Sequence, residues 1–136
     1  MNRAELAAQL NIDEGRRTRL YVDTVGKTTG GVGHNFDDKG IPEKVIDLLL
    51  DIDIADAERD LDRALPWWRN LSDVRQQALC NMCFNLGITR LLQFKITLAS
   101  LHQGRFSDAA SEMLNSKWAV QVGARAKRLS DMIRNG

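Results

Sequence analysis

The sequence predicts an α+β fold that is mostly α: a small N-terminal β-hairpin lobe joined by a long helix to a helical C-terminal lobe. Three observations carry this. Thr18–Val22 (T-R-L-Y-V) is β-branched and aromatic, and Val25-Gly26-Lys27 turns the chain so that Thr28–His34 can return beside it. From Pro42 onward, apolar residues recur at helical spacing. Repeats, low-complexity tracts and linkers are lacking, so the 136 residues read as one domain. Its parts are an N-terminal lobe at about 12–42, a connecting helix at about 42–65, and a C-terminal lobe at about 66–136 that also takes in a helix at 2–13.

The first helix, Asn2–Asp13, has Leu6 and Leu10 at helical spacing, with Ala4, Ala7 and Ala8 as good helix formers. Asn2 suits its N-cap, with Glu5 three positions on, and Gly15 is a stop signal directly after Glu14. The hairpin follows, with Gly26, Gly30, Gly31 and Gly33 inside eight residues. These glycines serve turns and strand irregularities, or leave room for a polymer beside Asp23 and Thr29. Asn35–Ile41 reads as a loop.

Pro42 opens a helix that runs to about Leu65 and stops at Pro66. Trp67 and Trp68 then read as packing residues or as a flat platform for a sugar ring. Ser72 caps a central helix bearing Val74, Ala78, Leu79, Met82, Cys83 and Leu86, with Asn81 and Asn85 among them, and Gly87 ends it. Leu91–His102, Phe106–Asn115 (capped by Ser107) and a last helix around Ala124–Ile133, reached through Ser116-Lys117-Trp118, give seven or so helices in all.

Net charge is only +1, but it is divided. Residues 1–66 carry nine basic and fourteen acidic side chains, and residues 67–136 carry ten and four. A basic second half suits an anionic polymer such as a cell wall or nucleic acid, or is a solvated surface. No recognition helix with base-reading residues is evident, so nucleic acid is not expected as a partner. Cys80 and Cys83 fall in an apolar helical stretch, far in sequence from His34 and His102. They read as two buried apolar thiols rather than a metal site, which would need two further ligands. The pair Asp37-Asp38 lacks calcium-loop spacing, and the glycines near residue 30 lack a following phosphate-loop lysine. Neither metal nor organic cofactor is expected. The N-terminal stretch has no apolar core of signal-peptide length, and no run approaches the roughly 20 apolar residues of a membrane span. Nothing in the sequence demands more than a monomer.

The chemistry concentrates between Ile12 and His34. Glu14 closes a helix and Asp23 lies near the far end of a strand, so a helix end facing a hairpin can set two acids across a cleft. Glycoside hydrolysis needs two such acids in unequal environments, one protonated to serve the leaving oxygen and one ionised. A helix C-terminus and burial in a cleft would both push the Glu14 pKa up. Spacing alone is weak support, since the chain has 18 Asp and Glu.

The larger pattern is more specific. Glu14-Gly15, then Asp23-x-x-Gly26-x-x-Thr29-x-Gly31-x-Gly33-His34, resembles the catalytic hairpin of the phage-type lysozymes, the family 24 glycoside hydrolases of tailed-phage endolysins. Arg75–Gly87 is similar to that family's buried central helix, and Ser116–Arg128 to its C-terminal S-x-W…R-A-x-R segment. Gly30 departs from the family, where a larger strand former is common, and implies a looser second strand.

The resemblance implies a lysozyme-like fold and a muramidase acting on the β-1,4 bond between N-acetylmuramic acid and N-acetylglucosamine of bacterial peptidoglycan. Glu14 would be the general acid, with Asp23 and Thr29 positioning water. His34, Asn85 and Arg125 would bind substrate or support the site, Arg125 by pairing with Glu14. Family analogy implies inversion, hence carboxylates about 6.5–9.5 Å apart. It also implies residence in the host cytoplasm until a separate holin opens a route to the wall. The alternatives are a catalytically weak lysozyme-like glycan-binding module, and a lytic transglycosylase, whose chemistry needs no water-directing Asp and Thr. Glu14, Asp23 and Thr29 are all present, which favours the hydrolase.

Overall fold

The computed structural model describes all 136 residues. They form two compact units, Met1–Leu49 and Leu50–Gly136. The fold is α+β and mostly helical, with one three-stranded antiparallel sheet near the N-terminus. None of its helices is long and apolar enough to cross a membrane.

The first unit opens with α1 (Arg3–Glu14). Asn2 stands in extended backbone, and its side-chain oxygen accepts from the Glu5 N–H at 3.1 Å, satisfying one of the donors a helix start leaves open. Gly15 ends the helix at φ 75°, a conformation that carries little penalty only for glycine. Strands β1 (Arg17–Val22) and β2 (Thr28–Gly31) pair with Tyr21 opposite Thr29 and Val22 opposite Thr28. The register shifts between Arg17 and Tyr21, so β1 is bulged. Between the strands, Gly26 N–H donates to the Asp23 carbonyl at 3.1 Å, with Gly26 at φ 85°. A tight turn closed by a left-handed glycine is a common three-residue hairpin connection.

Two expectations for this unit need correction. Thr28–His34 is not one strand: the chain reverses at Val32-Gly33 and a short third strand, β3 (His34–Asn35), pairs back on β2. Gly31 at φ 59° and Gly33 at φ 67° permit the reversal. Nor is Asn35–Ile41 all loop. Asn35 caps a one-turn helix, α2 (Phe36–Lys39), by accepting from the Asp38 N–H, and Gly40 at φ 64° ends it. Gly30 does not leave the sheet gaping either. It is buried, and a Cβ there would lie 2.8 Å from the Leu20 side chain and 3.1 Å from the Phe36 ring, so these two fill the space it leaves.

Helix α3 (Glu43–Ala64) begins beside Pro42, whose carbonyl accepts from Val45 and Ile46, and ends before Pro66. Its 22 residues span about 33 Å at 1.5 Å per residue. A 3₁₀ turn, Trp68–Asn70, follows. Then come α4 (Asp73–Leu86), α5 (Ile88–Leu91), α6 (Lys95–His102), α7 (Phe106–Leu114), α8 (Lys117–Val122) and α9 (Ala124–Asn135).

The core of the second unit is built on α4, whose Ala78, Leu79 and Met82 are fully buried with Leu91, Leu101, Met113, Leu129 and Ile133. Small Ala109 and Ala110 let α7 lie close to α9, and the buried Ser130 hydroxyl donates to the Ala110 carbonyl at 2.9 Å. Arg75 extends from α4 to donate to the Ile133 carbonyl at 2.7 Å and stacks 3.4 Å from the Phe106 ring centre. It thereby satisfies a carbonyl that the end of α9 leaves open.

Here too the structure departs from the expected helices. Leu91–His102 is broken: Phe94 leaves helical geometry at ψ 57° and sets its ring edge-on to Trp118, so tertiary packing overrides the helical period. Helix α7 starts at Phe106 without a side-chain cap, one residue before the expected Ser107. Ser116 caps a separate helix, α8, by accepting from the Ala119 N–H, and Gly123 at φ 57° ends it. Val74, expected in the core, is exposed at the start of α4.

Candidate active site

Glu14 is the last residue of α1, and its carboxylate lies over Gly33 in the turn between β2 and β3. A Cβ at Gly33 would come within 2.9 Å of Glu14 Oε2, so the carboxylate occupies the volume that a side chain would take. The expectation that the glycines leave room for a polymer is replaced at this position: the room is filled by the acid itself.

Asp23 stands at the base of the hairpin turn. Its Oδ1 accepts from the Val25 N–H at 3.0 Å and the Lys27 N–H at 2.8 Å, while its own N–H donates to the Lys27 carbonyl at 2.9 Å. The short side chain thus braces the turn that carries it. Both turn hydrogen bonds fall on Oδ1, and Oδ2 is left to face other groups. Thr29 is almost wholly buried, and its hydroxyl donates to the same Lys27 carbonyl at 3.0 Å. With its hydrogen committed there, the Thr29 oxygen presents only acceptor capacity. Asp23 and Thr29 are therefore joined through one peptide group, a connection not evident from their spacing.

Lys27 and the acids of α2 complete the frame. Asp37 accepts from the Thr28 N–H at 2.7 Å, and Lys27 Nζ pairs with Asp38 at 2.9 Å. That hydrogen bond holds the Asp38 carboxyl below its ordinary range and raises the lysine. The two aspartates considered as a metal motif thus fasten the hairpin to the segment after it. An N-cap asparagine three residues before an aspartate was the signal for this helix.

His34 Nε2 lies 2.8 Å from the Gly40 carbonyl oxygen. A carbonyl only accepts, so this nitrogen carries a proton and ties β3 to the end of α2. The ring also meets Phe36 edge-on at 4.7 Å.

The remaining candidates lie in the second unit. The Asn85 side-chain oxygen accepts from the indole N–H of buried Trp118 at 2.8 Å. Arg125 donates through Nε and Nη2 to the Asn81 side-chain oxygen, at 2.9 and 2.7 Å. Trp68 is buried with its indole N–H on Asp62, which excludes it as a sugar platform. Trp67 is stacked face to face on His102 at 4.7 Å. Cys83 is buried and Cys80 half-buried; both are free thiols, and burial pushes Cys83 up to about 11. This unit also holds an open cleft of about 590 Å³, lined by Arg90, Phe94, Lys95, Thr97, Lys117 and Trp118 among others.

The chain is similar to two proteins of Dictyostelium discoideum described as probable T4-type lysozymes 1 and 2. It is 27% identical to the first over 93% of this chain and 92% of that protein, and 25% identical to the second over 98% and 95%. It is also 28% identical, over 96% of its length, to the pre-baseplate central spike protein Gp5 of Enterobacteria phage T4, of which the match spans 28%. The family model described as phage lysozyme matches residues 11–134, nearly the whole sequence, and the chain belongs to the phage lysozyme family.

Proposed function

We propose that the protein is a peptidoglycan-degrading muramidase, an endolysin that hydrolyses the β-1,4 bond between N-acetylmuramic acid and N-acetylglucosamine. The observation that carries this reading is the pairing of two different sites on one 49-residue unit: a helix-end acid seated against a glycine turn, and an ionisable acid joined to a buried hydroxyl through the Lys27 carbonyl.

In this reading Glu14 donates its proton to the glycosidic oxygen as the bond to the muramic C1 breaks. Water attacks C1 from the opposite face. Its hydrogens are held by Asp23 Oδ2 and the Thr29 oxygen, each of which keeps acceptor capacity after bracing the turn. Asp23 takes the water's proton as the new C–O bond forms, and the anomeric centre inverts. Asp23 then releases that proton to solvent and Glu14 takes one back, which restores both groups for the next turnover. Arg90, Lys95 and Lys117 of the open cleft in the second unit suit an anionic wall polymer. The enzyme would reach that polymer through a hole made by a separate holin.

The test uses purified peptidoglycan and outer-membrane-permeabilised Gram-negative cells, with wild type beside Glu14→Gln and both shown to be folded. Clearing by wild type alone, with reducing muramic ends by mass and the inverted anomer by NMR, is expected. Anhydro ends would replace the reading with a lytic transglycosylase. Wall binding without cleavage would replace it with a glycan-binding module.

A further inference from the structure

Two glycines at similar positive φ flank the reversal between β2 and β3: Gly31, the last residue of β2, at φ 59°, and Gly33, in the turn, at φ 67°. Their surroundings differ. A Cβ on Gly31 would meet nothing within 4 Å. A Cβ on Gly33 would meet Glu14 three times, with Oε2 at 2.9 Å, Cδ at 3.1 Å and Cγ at 3.2 Å. Backbone conformation accounts for glycine at position 31. At position 33 conformation and occupied volume both call for it, and the occupant is a single carboxylic side chain.

We propose that Gly33 is a positioning residue for the hydrolysis, its bare backbone forming the seat against which the Glu14 carboxyl is held. The inference rests on the reading of Glu14 as the proton donor. A glutamate turns about three side-chain bonds, so a proton donor at its tip is delivered to one place only if those rotations are limited. Gly15 at φ 75° fixes where the α1 backbone ends, and the Gly33 turn limits where the side chain beyond it can go. The contact is with the free end of a flexible side chain, which can swing aside. A methyl group at position 33 therefore displaces the carboxyl with little steric damage to the fold, beyond the strain of placing any side chain at that φ. Displacement by about 1 Å at a reacting centre costs on the order of a hundredfold in rate.

The test compares Gly33→Ala with Gly31→Ala, which both place a side chain at positive φ and differ in the contact with Glu14. The first readout needs no activity: the carboxyl ¹³C shift and titration of Glu14 in the free protein, followed by NMR. It should change in G33A and match wild type in G31A. The second is turnover of soluble peptidoglycan fragments. Here kcat should fall about a hundredfold further in G33A than in G31A, with KM little changed. Equal kcat and equal Glu14 titration in the two variants would overturn the proposal. If G33A fails to fold while G31A folds, G33A is made on a Glu14→Ala background: recovery of the fold assigns the clash to Glu14, and failure to recover overturns it. A wild type inactive on peptidoglycan would sink the muramidase reading, while the NMR comparison would still decide whether Gly33 seats Glu14.

Discussion

The N–H of Asp23 and the hydroxyl of Thr29 donate to one acceptor, the carbonyl oxygen of Lys27, at 2.9 and 3.0 Å. The shared acceptor makes Thr29→Val an informative variant. Valine keeps the β-branched shape, and the Lys27 carbonyl keeps its bond from Asp23, so no buried acceptor is orphaned. The loss should be about 1 kcal/mol of stability, the net worth of one ordinary hydrogen bond. Turnover of peptidoglycan should fall by roughly 10²-fold or more if the Thr29 oxygen holds the attacking water. Thr29→Ser should recover most of it. Denaturant melts beside release of reducing ends check both halves, and a Thr29→Val enzyme with wild-type turnover would remove Thr29 from the mechanism.

Asp23→Asn separates the turn from the charge. The asparagine oxygen can accept from Val25 and Lys27 as the carboxylate oxygen does, so the hairpin should keep its geometry. What disappears is the negative charge and the base. Turnover should drop by roughly 10²–10⁴-fold with the melting temperature within a few degrees of wild type. A matching collapse of the fold would show that Asp23 serves the turn first.

Much of this arrangement was legible in the sequence because it depends on local chemistry. Asn2, Gly15, Pro42, Ser72 and Gly87 each act within one helical turn, and the helix bounds they imply hold to within about two residues. The misses share a cause in contacts between distant residues. Phe94 breaks a helix because Trp118 is there to pack on, and nothing in the spacing of Leu91–His102 announces it. Gly33 read as room for substrate because only the folded chain brings Glu14, nineteen positions earlier, into that room. The short helices α2 and α8 were different, since Asn35 with Gly40 and Ser116 with Gly123 are cap pairs that local reading can find.

Asn85 was a candidate for substrate binding, and its bond to Trp118 makes a different prediction. Removing the amide with Asn85→Ala leaves the indole N–H of a buried tryptophan without its partner. Such an orphan costs about 1–3 kcal/mol. The melting temperature should fall by several degrees, and kcat measured well below it should stay within a few-fold of wild type. Stability unchanged with a raised KM would instead place Asn85 on the substrate.

The buried Cys83 thiol gives an alkaline signature. Burial, aided by neighbouring Cys80 and Asp60, raises it from 9.0 to about 11. Between those values the unfolded chain has released the proton and the folded chain still holds it, so the unfolded state binds fewer protons and stability falls as pH rises. The contribution is intact below pH 9 and is lost progressively up to about pH 11. Cys83→Ala should therefore be somewhat less stable than wild type at neutral pH, having lost buried contacts, yet show a shallower decline of melting temperature across that window. The same raised value leaves little thiolate at pH 8, so Cys83 in the folded protein should react with a disulfide reagent far more slowly than a free cysteine does, and rapidly after denaturation. Equal slopes for the two proteins together with fast labelling of Cys83 in the native state would mean that the thiol is open to solvent and contributes nothing to the alkaline limit.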